Sequence, residues 1–213
     1  MARMIAGYAA YRFLVRVKHG RWLPDPGEIV VLDLGRAATI YDLRWVSCRA
    51  EIVDDRLVAI GPSGGENAIA RVSILFSLKM YERGHKGAGV VRTSGAAFRV
   101  DSPHRRSICA DVSWYTGPRS ESDLAPIPSL FAAEVRDLAS FGEEAEAYRA
   151  TKCADFFAAG TQVVWDVDVI REGLIRVYRA TDPENPAVYR RGEVAEAEPA
   201  VPEWRFPVDE LWD

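Results

Sequence analysis

Glu143–Asp168 reads EEAEAYRATKCADFFAAGTQVVWDVD. The first seventeen residues are almost all good helix formers, chiefly Ala, Glu, Lys and Arg. Gly160 ends that run, as glycine does where a helix must turn left-handed. Gln162 to Asp168 then reads as a buried strand built on Val163, Val164, Trp165 and Val167. Gly173 to Arg179 follows after a turn and predicts a hairpin partner.

Working back from this unit, Leu130 to Val135 is an apolar strand interrupted by Glu134. Ile108 to Tyr115 alternates as one strand, with Ile108, Ala110, Val112 and Trp114 on one face. Cys109, Asp111, Ser113 and Tyr115 lie on the other. Gly89–Val91 and Ala97–Val100 are shorter strands. Residues 66–83 form an amphipathic helix, with Ser63 and Glu66 at capping-box spacing and Ile69, Val72, Phe76 and Met80 as its apolar face. Glu51 to Ile60 is a strand pair around an Asp54-Asp55 turn. Thr39 to Leu43 opens a short helix, and Ile29 to Leu34 is a short strand. Residues 1–36 are read as an N-terminal extension and 37–213 as the domain. The stretch 181–202, rich in Pro, Glu and Ala, is read as loop. Helix, strands, helix and strands in this order give an α/β chain, a mixed central sheet flanked by helices.

A length of 213 residues suits one such domain. The net charge of −4 excludes a protein that binds nucleic acid through a general basic surplus. Any nucleic-acid contact must come from a local patch. Cys48, Cys109 and Cys153 are odd in number and lack C-x-x-C spacing, which argues against a disulfide framework or a structural zinc site. A reducing, cytoplasmic setting follows. No apolar run is long enough to span a bilayer, and Met1–Ala10 lacks the layout of a cleaved leader.

Three polar residues stand where core elements should be apolar: Asp111 in mid-strand, Glu134 in the next strand and Lys152 on the following helix. Burying a carboxylate is costly unless it is paired or bound to metal. Two on neighbouring strands repel one another, and a divalent cation relieves both problems. Oxygen-only ligands suit Mg²⁺ or Mn²⁺. Phosphodiester hydrolysis uses such a site, with a nearby ammonium for the charge that builds on phosphoryl oxygens. The ordinary alternative is a solvated acid at a strand edge and a solvated helix lysine, because spacing alone does not make three groups converge. Arg105 and Arg106, beside the Asp111 strand, are candidate phosphate contacts or plain surface arginines. His85 and His104 are read as surface residues, Asp166 and Asp168 as turn residues, and Trp114 and Trp165 as buried.

From about Thr39 to Leu211 the chain resembles the Uma-two family, a branch of the PD-(D/E)XK nuclease superfamily. The resemblance rests on an ordered set of segments. These are Glu51-Ile-Val-Asp-Asp-Arg-Leu-Val, Gly61-Pro-Ser-Gly-Gly-Glu66, Ala110-Asp111-Val-Ser-Trp-Tyr115 and Ala133-Glu134-Val135. After them come Lys152 to Gly160 with Val164-Trp165-Asp-Val-Asp168, and Trp204 to Leu211. It implies a restriction-endonuclease-like fold and a Mg²⁺- or Mn²⁺-dependent endonuclease acting on nucleic acid, with DNA first in line. A catalytically degenerate binding module on the same fold is the alternative, and the resemblance also points to a homodimer. Carried over, Asp111 and Glu134 are metal ligands together with the Val135 carbonyl, and Lys152 is the catalytic lysine. The first-helix acid is read as Glu66, with Glu51 as the other candidate. Ala110 replaces the proline of the "PD" pair, Arg136 stands two residues after Glu134, Asn67 stands in place of a histidine and Phe156 in place of a tyrosine.

Overall fold

A computed structural model describes residues 3–6, 28–46, 48–62, 64–93, 97–102, 104–118, 124–138 and 140–213. Most of the segment expected as an extension, and Ser63 of the expected capping box, lie outside these residues. The helix expected over 66–83 is α1 (Glu66–Gly84), and its N-cap is Gly65 at positive φ. The helix over 143–159 is α2 (Glu143–Ala159), closed by Gly160 in the left-handed region.

The central sheet has six strands. In chain order they are β5 (Val90–Thr93), β8 (Val112–Tyr115), β10 (Phe131–Val135), β11 (Val163–Asp168), β12 (Leu174–Arg179) and β13 (Asp182–Arg190). Their spatial order is β13-β12-β11-β10-β8-β5. Only β10 and β11 run parallel, so the sheet is mixed. The long α2 crossover joins those two, as a parallel connection requires.

The two faces divide by residue parity. Val112, Trp114, Phe131, Ala133, Val163, Trp165 and Val167 face α1 through Ala70, Ile74 and Leu78. A hairpin of β14 (Val194–Ala197) and β15 (Val201–Pro207) extends that core, and Trp204 stacks on Trp165 with ring centroids 4.9 Å apart. The opposite face carries Tyr115, Ala132 and Val164 against Phe156 of α2. Glu134 and Asp166 share the parity of Ala132 and Val164, so both point to the α2 side.

A second sheet orders β1 (Arg3–Ala6), β2 (Ile29–Asp33), β4 (Arg56–Ile60) and β3 (Arg49–Val53) as β1-β2-β4-β3. Its core of Val30, Leu32, Ala50, Ile52 and Leu57 draws residues from both sides of position 36. That boundary therefore falls inside one packed unit. The β3–β4 turn uses Asp54 and Asp55 at positive φ, as the paired acids suggested. Beside β3 lies β7 (Ser107–Cys109), in a small sheet with β6 (Ala97–Arg99) and β9 (Leu124–Ala125). Ile52 N donates to Ser107 Oγ at 3.0 Å, and Arg106 N donates to Ile52 O at 3.0 Å.

Three expectations are corrected. Ile108–Tyr115 is not one strand: β7 belongs to the small sheet and β8 to the central one, and the chain crosses between them at Ala110-Asp111. The buried face of α1 is Asn67, Ala70, Ile74 and Leu78, while Ile69, Val72, Phe76 and Met80 are exposed. Both stripes have helical spacing, and the one carrying small Ala70 lies against the sheet. Residues 181–202 are largely strand. Pro183 and Pro186 sit in β13, which among the described residues pairs only with β12, and an edge strand tolerates proline because one side of its ladder needs no donors.

Candidate active site

Where the chain leaves β7 for β8, Asp111 is buried, and its main chain is fixed by Asp111 N donating to Ala133 O at 3.0 Å. Its Oδ2 accepts from Val135 N at 2.8 Å, which ties it to the end of β10. Glu134, one residue earlier, turns to the α2 side. Lys152 rises from α2 to meet it, with Nζ 3.0 Å from Glu134 Oε2. The three residues singled out from the sequence thus converge.

Glu51 completes the group. It projects from β3 and is fully buried, with Oε1 2.9 Å from Lys152 Nζ and accepting from Cys109 N at 3.0 Å. Its Oε2 meets Arg105 Nη1 at 2.5 Å. Glu66, the other candidate for this role, is exposed in the first turn of α1 and lines no part of the cleft described below. The geometry therefore favours the strand acid over the helix acid.

Arginine plays a part that the sequence reading did not assign to it. Arg49 lies two residues before Glu51 and so projects from the same face of β3. Its Nη1 donates to Asp111 Oδ1 at 2.6 Å, and its Nη2 donates to Glu134 Oε1 at 2.8 Å and to Cys109 O at 2.7 Å. Arg71 of α1 covers the other side, with Nε 3.2 Å from Asp111 Oδ2 and Nη2 donating to Val135 O at 3.3 Å. Arg105 is not a phosphate contact. It is buried, with Nε donating to Asp155 Oδ2 at 2.6 Å, while Arg106 is exposed and pairs with Asp101. Asp155 also holds His104, Nε2 to Oδ1 2.7 Å, and His85 is exposed. Tyr148, one turn before Lys152 on the same helix face, places its hydroxyl 3.4 Å from Glu51 Oε2. Alternation on β3 and the i, i+4 stripe Tyr148, Lys152, Phe156 on α2 were the signals available for these neighbours.

Acids and bases therefore alternate from Asp155 through Arg105, Glu51, Lys152, Glu134, Arg49 and Asp111 to Arg71. The protonation states follow. Burial pushes the Glu51 carboxyl up, but Lys152, Arg105 and Arg49 together outweigh it and hold the carboxyl down at about 2. Burial and Arg49 push Lys152 down, and Glu134, Glu51 and Tyr148 more than reverse this, so its ammonium is held above the ordinary range. Burial, with Glu51 beside it, pushes the Cys109 thiol up to about 12, which rules it out as a thiolate nucleophile.

The site opens into a cleft of about 640 Å³ whose lining includes Arg49, Arg71, Asp111, Glu134, Tyr148 and Lys152. The outer face of the second sheet, with Val31, Val58 and Ile60, contributes an apolar wall. Acidic side chains outnumber basic ones in the lining among the described residues. Further along, Asp166 is paired with Arg136, Nη2 to Oδ2 2.6 Å, with Arg149 and Arg176 nearby, so it serves an ion-pair cluster rather than a turn. Asp168 does make the expected turn, its Oδ1 accepting from Ile170 N and Arg171 N.

Two carboxylates and a backbone carbonyl are the right chemistry for Mg²⁺ or Mn²⁺. Even so, no group of three or more His, Cys, Asp or Glu side chains stands ready as a cation cage among the described residues. The Arg49 guanidinium instead lies on both carboxylates, Nη1 on Asp111 Oδ1 and Nη2 on Glu134 Oε1.

Comparisons with known proteins agree with this fold. The model of the Uma2 family, described as "Putative restriction endonuclease", matches residues 41–209, a span that includes Glu51, Asp111, Glu134 and Lys152. Among solved structures, that of a putative nuclease belonging to DUF820 from Anabaena variabilis superposes with a TM-score of 0.59 at 15% identity. The match covers 76% of this chain and 89% of that one, and it establishes the fold alone. No curated protein matches the chain. A family match over most of the length, spanning the strands and helix that carry the charged cluster, makes this chain a member of the Uma2 putative restriction endonuclease family.

Proposed function

We propose that the chain is a metal-dependent endonuclease that hydrolyses phosphodiester bonds of nucleic acid, DNA first among them, at Asp111, Glu134 and Lys152 with Glu51 behind them. The observation that carries this reading is the convergence of Glu51 and Glu134 on the Lys152 ammonium, with Asp111 joined to Glu134 through Arg49, at the edge of a cleft. Asp111 and Glu134 would hold Mg²⁺ or Mn²⁺, with the Val135 carbonyl as a further oxygen. Such an ion, when bound, polarises a phosphoryl oxygen and acidifies a bound water.

The chain's own residues do the rest. Lys152 is kept protonated by Glu51 and Glu134 and presents its charge next to the carboxylates, where it can stabilise an oxygen that gains charge on phosphorus. Glu51 acts through Lys152: its carboxylate fixes the ammonium at 2.9 Å, so it is a positioning residue. Val135 N orients Asp111. The acidic lining supports a role for cations in admitting a polyanion, because a phosphate backbone entering it alone meets like charge.

The test is a panel of labelled single- and double-stranded DNA and RNA incubated with Mg²⁺ or Mn²⁺, wild type beside Asp111→Asn. Metal-dependent cleavage that Asp111→Asn abolishes supports the proposal. Cleavage equal in both rejects this site.

A second reading is a non-catalytic nucleic-acid- or protein-binding module on the same fold. It is favoured by the Arg49 and Arg71 contacts, which neutralise the carboxylates without any metal. A module of this kind shows no rise in melting temperature with Mn²⁺, whereas a native-state metal site does.

A further inference from the structure

Arg49 has a geometry that an ordinary structural ion pair does not need. One guanidinium bridges two carboxylates from different segments, Asp111 in the β7–β8 crossing and Glu134 on β10, with Nη1 to Asp111 Oδ1 at 2.6 Å and Nη2 to Glu134 Oε1 at 2.8 Å. Asp111 is 1% exposed at its side chain, Glu134 15% and Arg49 12%, so little water is present to screen the two acids from each other. Without a cation between them they would repel across a poorly solvated gap. The guanidinium meets the cleft, since all three residues line it.

We propose that Arg49 is an internal cation that holds Asp111 and Glu134 in position for a divalent metal and must release both carboxylates before that metal binds. This inference rests on the metal-dependent reading above. Arginine stays charged at any pH the protein survives, so acid–base change does not release it. Only a competing cation on the carboxylates, or a competing anion for the guanidinium, can do so. A phosphate group is such an anion, because the planar fork pairs with phosphate as it does with carboxylate. Displacement of Arg49 by metal therefore delivers a phosphate-seeking group into the cleft, and a phosphate in the cleft frees the metal ligands. The two events favour each other, as linked binding equilibria must.

Charge accounting agrees with this assignment. Glu51 and Glu134 are served by Lys152, and Glu51 also by Arg105, independently of Arg49. Asp111 has Arg71 and the Val135 N–H as additional partners. Removal of Arg49 thus leaves each acid with another partner, so the fold can survive its loss while the gap between Asp111 and Glu134 loses its resident cation.

The experiment is Mn²⁺ binding, measured by calorimetry and by the electron paramagnetic resonance of free Mn²⁺. It uses wild type, Arg49→Met, Arg49→Lys, Glu134→Gln and Arg49→Met/Glu134→Gln, with no nucleic acid present. Arg49→Met keeps the apolar stem and removes the charge. It is expected to bind Mn²⁺ about tenfold more tightly than wild type, within the usual range of coupling between sites. Arg49→Lys, a single ammonium that cannot bridge both acids as a fork does, should fall between them, and it carries the test if Arg49→Met fails to fold. Glu134→Gln should weaken binding whichever residue stands at 49. Equal or weaker Mn²⁺ affinity in Arg49→Met and Arg49→Lys than in wild type overturns the role of Arg49 while leaving the metal site standing. Absence of Mn²⁺ binding in every protein, or binding that Glu134→Gln leaves unchanged, overturns the metal site itself and this inference with it.

Discussion

Arg105 and Glu51 meet where neither side chain has any exposure, with Nη1 2.5 Å from Oε2. The pair links the β6–β7 connection to the second sheet and stands directly behind Lys152. A buried ion pair is weak evidence of net stability, but removing one partner leaves the other charged and desolvated. Arg105→Met is expected to destabilise the fold by about 3–5 kcal/mol, read from urea denaturation midpoints. A loss below about 1 kcal/mol, the scale of an exposed pair, would show that Glu51 finds sufficient charge in Lys152 alone.

Acid sensitivity should follow from Glu51. Its carboxyl titrates at about 2 in the folded chain against an ordinary 4.5, so the unfolded chain takes up the proton first as pH falls. The stabilisation is complete above about pH 5 and is lost progressively as pH drops toward about 2. Denaturant midpoints followed from neutral pH to about pH 3 should therefore fall more steeply for wild type than for Glu51→Gln, which starts lower. Parallel curves for the two proteins would place the acid lability in other carboxylates.

The parts of the fold legible in the sequence are those set by local rules. The helix over 143–159, its glycine stop and the Val163–Asp168 strand follow from helix propensity, a left-handed C-cap and a β-branched run. The Asp54-Asp55 turn is equally local. What misleads is a choice between two locally acceptable answers. Helix α1 has two apolar stripes, and only packing shows that Ala70, Ile74 and Leu78 face the sheet. Residues 182–190 look like loop because of their prolines, and only the sheet order shows an edge strand. In the site, Asp111, Glu134 and Lys152 betray themselves as polar residues in apolar elements. Arg49 and Arg105 do not, because their partners are distant in sequence and an arginine in a short strand or loop carries no local signal.

The assignment of the third acid is open to direct comparison. Glu66 is exposed and outside the cleft, whereas Glu51 is buried against Lys152. Glu66→Gln should change stability by no more than about 0.5 kcal/mol, as exposed substitutions do, and leave cleavage unaltered. Glu51→Gln should impair both. Loss of cleavage in Glu66→Gln at unchanged stability would return the role to the helix acid.

Lys152 is pinned by two carboxylates at 2.9 and 3.0 Å and kept charged by them. Lys152→Met should reduce the cleavage rate constant by about 100-fold or more, the scale of one lost electrostatic donor. Mn²⁺ binding should persist, because Asp111 and Glu134 remain. A variant that loses metal binding together with activity would show that the lysine holds the carboxylates rather than serving the phosphoryl group.

The central claim is a metal-dependent nuclease site at Asp111, Glu134 and Lys152, and nicking of supercoiled plasmid with Mn²⁺ tests it most directly, wild type beside Glu134→Ala. The account predicts relaxed and linear products from the wild type, none after chelation of the metal, and none from Glu134→Ala. Equal nicking by both proteins, or no cleavage of any nucleic acid by a wild type that does not bind Mn²⁺, would contradict it.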